Sequence, residues 1–126
     1  MANPGMTKSL VAEAAVLPYR VVKFGSADGQ VIQAAAATDA LIGVADNLGQ
    51  NTAGSRVDVI MGDIAEAEAG AAITRGAALS VDSVGRVIAA APGAGVNNRT
   101  IGVALVAAGA AGEIININVL PGVMQG

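Results

Sequence analysis

Cysteine, histidine and tryptophan are absent from the 126-residue chain, which holds one tyrosine and one phenylalanine. Without cysteine there is no disulfide, no thiolate nucleophile and no thiolate metal ligand, and the chain is indifferent to its redox compartment. Without histidine the usual general base near neutral pH and the commonest metal ligand are missing. Charged residues make up only 13% of the chain, and the net charge is -3. Nucleic-acid binding draws most of its affinity from neutralising phosphates with Lys and Arg, so DNA and RNA are excluded as expected partners. No apolar run approaches the ~20 residues that cross a bilayer, and the basic-then-apolar signature of a signal peptide is missing. The expectation is a soluble, unsecreted protein with no membrane partner.

What is abundant is small and aliphatic. The chain has 28 alanines and 34 residues of Leu, Ile, Val and Phe, within a hydrophobic total of 53%. That is enough apolar surface to drive folding of one domain. The core it builds is thin, and with disulfides and metal staples closed, self-association is the expected remedy.

Glycines, 17 in number, punctuate short Val- and Ile-rich runs, as in an all-β domain with close turns. Arg56-Val57-Asp58-Val59-Ile60 and Glu113 to Val119 alternate polar and apolar side chains with the period of a half-buried strand. Asp28-Gly29, between Val21 to Phe24 and Val31-Ile32, marks a tight hairpin. The Ala-rich stretches at 33–37, 66–72 and 89–94 are short, interrupted by Gly or Pro, and lack a helical apolar stripe. At most one or two short helical turns are expected, around Glu66 to Thr74.

The chain repeats itself. Gly29-Gln30-Val31-Ile32 returns as Gly85-Arg86-Val87-Ile88, 56 residues later. Ile42-Gly43-Val44-Ala45 returns as Ile101-Gly102-Val103-Ala104, 59 later, and Ala53-Gly54-Ser55-Arg56-Val57-Asp58-Val59 returns in outline from Ala111, 58 later. The order is kept, so the domain reads as a duplicated β unit.

Residues 1–18, with Pro4-Gly5 and Pro18, precede the first repeat and read either as an N-terminal arm or as a frayed terminus. The body is residues 19–126. Tyr19 and Phe24 lie where the two meet, and either anchor the first strand in the core or serve as interface anchors, as does Arg20 beside them.

Candidate chemistry is sparse. Asp58 and Asp63, or Glu66 and Glu68, are the available carboxylate pairs; on a strand Glu66 and Glu68 share a face and suit either a hard cation or the solvated face of an edge strand. Gly93-Ala94-Gly95-Val96-Asn97-Asn98 lacks the last glycine of a dinucleotide loop, and no Gly-Lys-Ser/Thr ending occurs. No catalytic residue, no metal site and no cofactor is expected.

With Tyr19 to Phe24 followed by Asp28-Gly29, Ile42 to Ala45, Ile73-Thr74-Arg75-Gly76, Val81-Asp82 with Gly85-Arg86-Val87, and Ile101 to Leu105, the chain resembles the capsid cement, or head decoration, proteins of tailed bacteriophages. The resemblance covers roughly residues 19–120. It implies a compact β-barrel or β-tulip-like domain with an extended N-terminal arm, made in the host cytoplasm and assembling as a homotrimer on the outer surface of the head. There it would bridge subunits of the major capsid protein, with no catalytic residue to transfer. It further implies that the arm adds a strand to the capsid protein's sheet, through Asn3, Pro4, Met6, Thr7, Leu10 and Val11. The alternative from the residues alone is a small β-barrel module that binds a peptide or a carbohydrate in an apolar pocket.

Overall fold

A computed structural model describes residues 4–126. Among them there is no helix; nine strands run β1 (Pro4–Ala12), β2 (Val21–Phe24), β3 (Gln30–Gln33), β4 (Leu41–Ala45), β5 (Arg56–Glu68), β6 (Ala78–Val81), β7 (Val87–Ala89), β8 (Asn97–Ala104) and β9 (Ile114–Gln125). They form one sheet in the order β1-β3-β2-β4-β5-β9-β8-β6-β7, and a further pairing of β1 with β5 closes its first five strands into a barrel. Both alternating segments of the sequence are strands, within β5 and β9. Asp28-Gly29 is the turn between antiparallel β2 and β3, with Gly29 at φ 79°.

The duplication in the sequence is a duplication of architecture. In the first unit β2 lies between β3 and β4, and β4 pairs with β5. In the second, β6 lies between β7 and β8, and β8 pairs with β9. Turn hydrogen bonds repeat as well. Gly54 N–H donates to Ala12 and Gly112 N–H to Ala69; Val16 and Gln50 exchange two bonds, as do Ile73 and Ala108. Tyr19 and Gly76, 57 residues apart, both take a left-handed backbone, at φ 62° and 87°. For Tyr19 this is a costly conformation that its second-unit counterpart adopts freely.

These equivalences give β5 two roles. Its first half pairs antiparallel with β1 (Val11↔Arg56 to Pro4↔Asp63), and its second half pairs antiparallel with β9 (Asp63↔Val119 to Glu68↔Ile114). The end of β1 pairs in parallel with β3, and the residue after β5, Ala69, bridges in parallel to Val87 of β7. So β5 is the wall strand of the first barrel and, over its last turns, the counterpart of β1 in the second. The cores agree: Leu10, Ala12, Val16, Val22, Val31 and Val59 fill the first barrel, and their counterparts Ala67, Ala69, Ile73, Leu79, Val87 and Ile117 lie in the larger core cluster. The larger Leu10 of the first set is balanced by Ile117, Leu79 and Ile73 in the second, as volume-conserving exchange in a packed core requires.

Residues 1–18 do not stand apart from the body over their described length. Leu10 and Ala12 alternate into the first barrel and are buried, as is Val16. The physical reason is the two-residue period at the end of β1, which turns Leu10 and Ala12 to the core while Met6 to Ser9 ahead of them stay exposed.

Candidate interaction surfaces

The N-terminal strand presents a polar, exposed stretch. Met6 to Ser9 are exposed, Leu10 is buried and Val11 half-buried. From Pro4 to Leu10, β1 pairs on its β5 side, whereas pairing with β3 begins only at Val11. Its other edge is therefore unpaired along 4–10 among the described residues. Two register shifts, between Pro4 and Met6 and between Met6 and Thr7, bend the strand near Asp63, itself at φ 62°. The guanidinium of Arg56 donates to the Ser9 carbonyl at 3.2 Å. Of the arm residues expected at the capsid, Met6 and Thr7 are exposed together, Leu10 points into this chain's own core, and Asn3 lies outside the described residues.

Tyr19, Arg20 and Phe24 are not brought together. Phe24 is 59% exposed at the end of β2, so the core-anchor reading does not hold for it. It is the last residue of β2, opposite Val31 of β3, and its side chain stands at the open end of the strand rather than among the core residues that Val21 and Val22 reach. Arg20 works within the chain: Nη2 lies 3.3 Å from both Glu68 oxygens and Nη1 donates to the Val84 carbonyl at 2.8 Å. Its Nε is buried without a partner. Gln33 adds a second bond to the same Val84 carbonyl, at 2.7 Å. Arg20 thus ties the start of the first unit to the end of β5 and to the β6–β7 turn of the second. Sequence reasoning missed this role, for which a lone Arg carries no local signal.

The carboxylates form no site. Glu66 and Glu68 share a face of β5 where it pairs with β9 alone, its pairings with β1 and β4 falling at 56–63, and Glu68 is held by Arg20. Among the described residues no three acidic side chains gather as metal ligands would. The Asp39 carboxyl has a displaced titration. Burial alone would raise it, but the N–H groups of Ala35 and Ala36, at 2.8 and 2.9 Å, and the Lys23 ammonium at 3.3 Å outweigh that and hold it below the ordinary carboxylate value. An open cleft of about 370 Å³ runs between Ala15 to Pro18 and Leu48 to Asn51, with no charged or aromatic residue in its lining. Leu48 stands out beside it, 78% exposed, on a turn fixed by Asp46, whose carboxylate accepts the N–H groups of Leu48 and Gly49.

The surfaces that stand out are backbone edges and apolar tips. The family model described as "phage cement protein" matches residues 2–119, nearly the whole chain. The chain belongs to the phage cement protein family. Its role is accordingly structural and capsid-associated, in the virion. No curated protein sequence matches this one. Among solved structures, the crystal structure of the head fiber gp8.5 N base of bacteriophage phi29 is similar, with a TM-score of 0.66 and 17% identity, covering 91% of this chain and 93% of that one. At that identity the likeness is one of fold.

Proposed function

We propose that this cement protein sits as a homotrimer on the outer surface of the phage head, bridges neighbouring subunits of the major capsid protein, and braces the shell against packaged DNA. It is made in the host cytoplasm, has no catalytic role and takes no cofactor. The observation that carries the reading is the open edge of β1. Residues 4–10 have no strand partner on one side, where Met6 and Thr7 are exposed and the Ser9 carbonyl is taken by Arg56. An extended capsid segment can add to such an edge, taking affinity from main-chain hydrogen bonds and specificity from alternate side chains. The strand stays in its own barrel and acts as the template, rather than leaving to join another sheet. Three copies on one trimer multiply a weak contact into a firm one.

Quantitative mass spectrometry of purified particles tests this. A copy number near that of the major capsid protein is expected, and absence from the particle would end the proposal. Thr7→Pro at the β1 edge, in a chain that still folds, is expected to lower occupancy on stripped heads at least tenfold; unchanged binding would move the docking surface away from β1.

A further inference from the structure

The junction between the two units of one chain shows how two chains can meet. Residues Tyr19 to Val21 of the first unit lie between the end of β5 and the β6–β7 turn of the second. Glu68 N–H donates to the Tyr19 carbonyl at 3.0 Å, and Val21 N–H donates to the Gly85 carbonyl at 2.8 Å. Gly85 is buried there: a β-carbon on it would come within 2.9 Å of the Gln33 side chain and 3.1 Å of the Val21 carbonyl. The first unit has thus inserted a short edge into a slot of the second.

The duplication supplies both halves of that contact a second time. The counterpart of Tyr19–Val21 is Gly76–Ala78, and the counterparts of Glu68 and Gly85 are Val11 and Gly29. At these places the same positions are open. Gly29 is exposed with free space around it, Phe24 is 59% exposed where its counterpart Val81 is 2% exposed, and Ala78 is half-buried where Val21 is fully buried. Among the described residues neither the Gly76 carbonyl nor the Ala78 N–H has a backbone partner, and Val11 N–H closes onto the Gly29 carbonyl at 2.9 Å.

We infer that Gly76–Ala78 of one copy seats in the Val11–Gly29 slot of the next, repeating between chains the junction that joins the units within a chain. One hydrogen bond is exchanged for two: Val11 N–H turns to the Gly76 carbonyl of the second copy, and the Ala78 N–H of that copy donates to the Gly29 carbonyl. Phe24, stranded on the surface of a single chain, is covered. The contact is head-to-tail, and such contacts close into rings when the rotation allows; a ring of three chains holds six similar barrels. This rests on the self-association proposed above and assigns it a surface.

The chain has no cysteine, so a pair of introduced thiols reports one proximity without background. Gln33 touches Val84 across the internal junction, and the counterparts are Ala89 and Asp28. In the Asp28→Cys, Ala89→Cys double variant, a short bis-maleimide is expected to give covalent dimers and a terminal trimer. The Gln33→Cys, Val84→Cys variant is expected to link within one chain and keep monomer mass. Trimers by light scattering that fail to link through residues 28 and 89 would overturn this surface while leaving self-association intact; monomers at all concentrations would overturn the self-association itself. Ala78→Pro removes the N–H that has no partner inside the chain, and is expected to lower the trimer's association constant at least tenfold while circular dichroism is unchanged. A folded Ala78→Pro trimer of normal affinity would likewise overturn the assignment.

Discussion

Gly102 lies directly against the carbonyl oxygen of Asn118 on β9, with φ at 155°, and leaves no room for a β-carbon. Gly43 meets the carbonyl of Ile60 on β5 in the same way. Each glycine lets its strand approach the neighbouring backbone at the equivalent point of its barrel. Gly102→Val or Gly43→Val is expected to destabilise the fold by about 3 kcal/mol, through overpacking at both positions and backbone strain at Gly102. Gly54, left-handed but in open space, is the control: Gly54→Ala should cost only about 1 kcal/mol. Urea titration of the three variants reads the difference.

Arg20→Ala removes the fork that holds Glu68 and the Val84 carbonyl, and leaves a carboxylate largely out of water, with 21% of its side chain exposed. A loss of about 2 kcal/mol is expected for charge-assisted bonds in this setting. Arg20→Lys should recover less than half of it, because an ammonium cannot reach both partners as a planar guanidinium does. Denaturant midpoints for the three chains check this.

Acid should loosen the loop before β4. Because the folded Asp39 sits below its unfolded value of 3.8, its contribution is complete above about pH 4 and fades as pH falls through the lower, folded value. Asp39→Asn is expected to lower stability at neutral pH and to flatten the fall below about pH 4, followed by melting temperature against pH.

Deleting residues 1–11 removes Leu10 and most of the strand that closes the first barrel. The truncated chain is expected to lose its cooperative melt rather than fold as an armless body. Met6→Lys, at a position 58% exposed, should stay within about 0.5 kcal/mol of the parent. Calorimetry separates the two.

Much of this architecture was legible in short motifs. The alternation at 56–60 and 113–119 and the two Ile-Gly-Val-Ala segments reached the structure as strands because one face of each is buried, and Asp28-Gly29 reached it as a turn because Gly29 adopts a positive φ. The repeat also carried the two-unit plan. The shared role of β5 was not legible, since Leu10-Val11-Ala12 and Ala67-Glu68-Ala69 are counterparts with little residue identity; their equivalence lies in hydrogen bonding. For the same reason residues 1–18 read as an arm although Leu10 and Ala12 belong to a barrel. For Phe24 the sequence left a core anchor and an interface anchor open, and its exposure at the end of β2 removes only the first. Arg20 was singled out, but its partners, Glu68 and Val84, are 48 and 64 residues away.

Thirteen residues of β5, roughly 40 Å of extended chain, are the only covalent path shared by both barrels. Antiparallel ladders carry their hydrogen bonds across the strand direction, so tension entering along β1 and leaving along β9 shears both ladders lengthwise. Rupture then requires many bonds to fail at once instead of one after another, as in a zipper. In the shell-bridging role proposed above, a head swelling under internal pressure would load these ladders in shear rather than peel them.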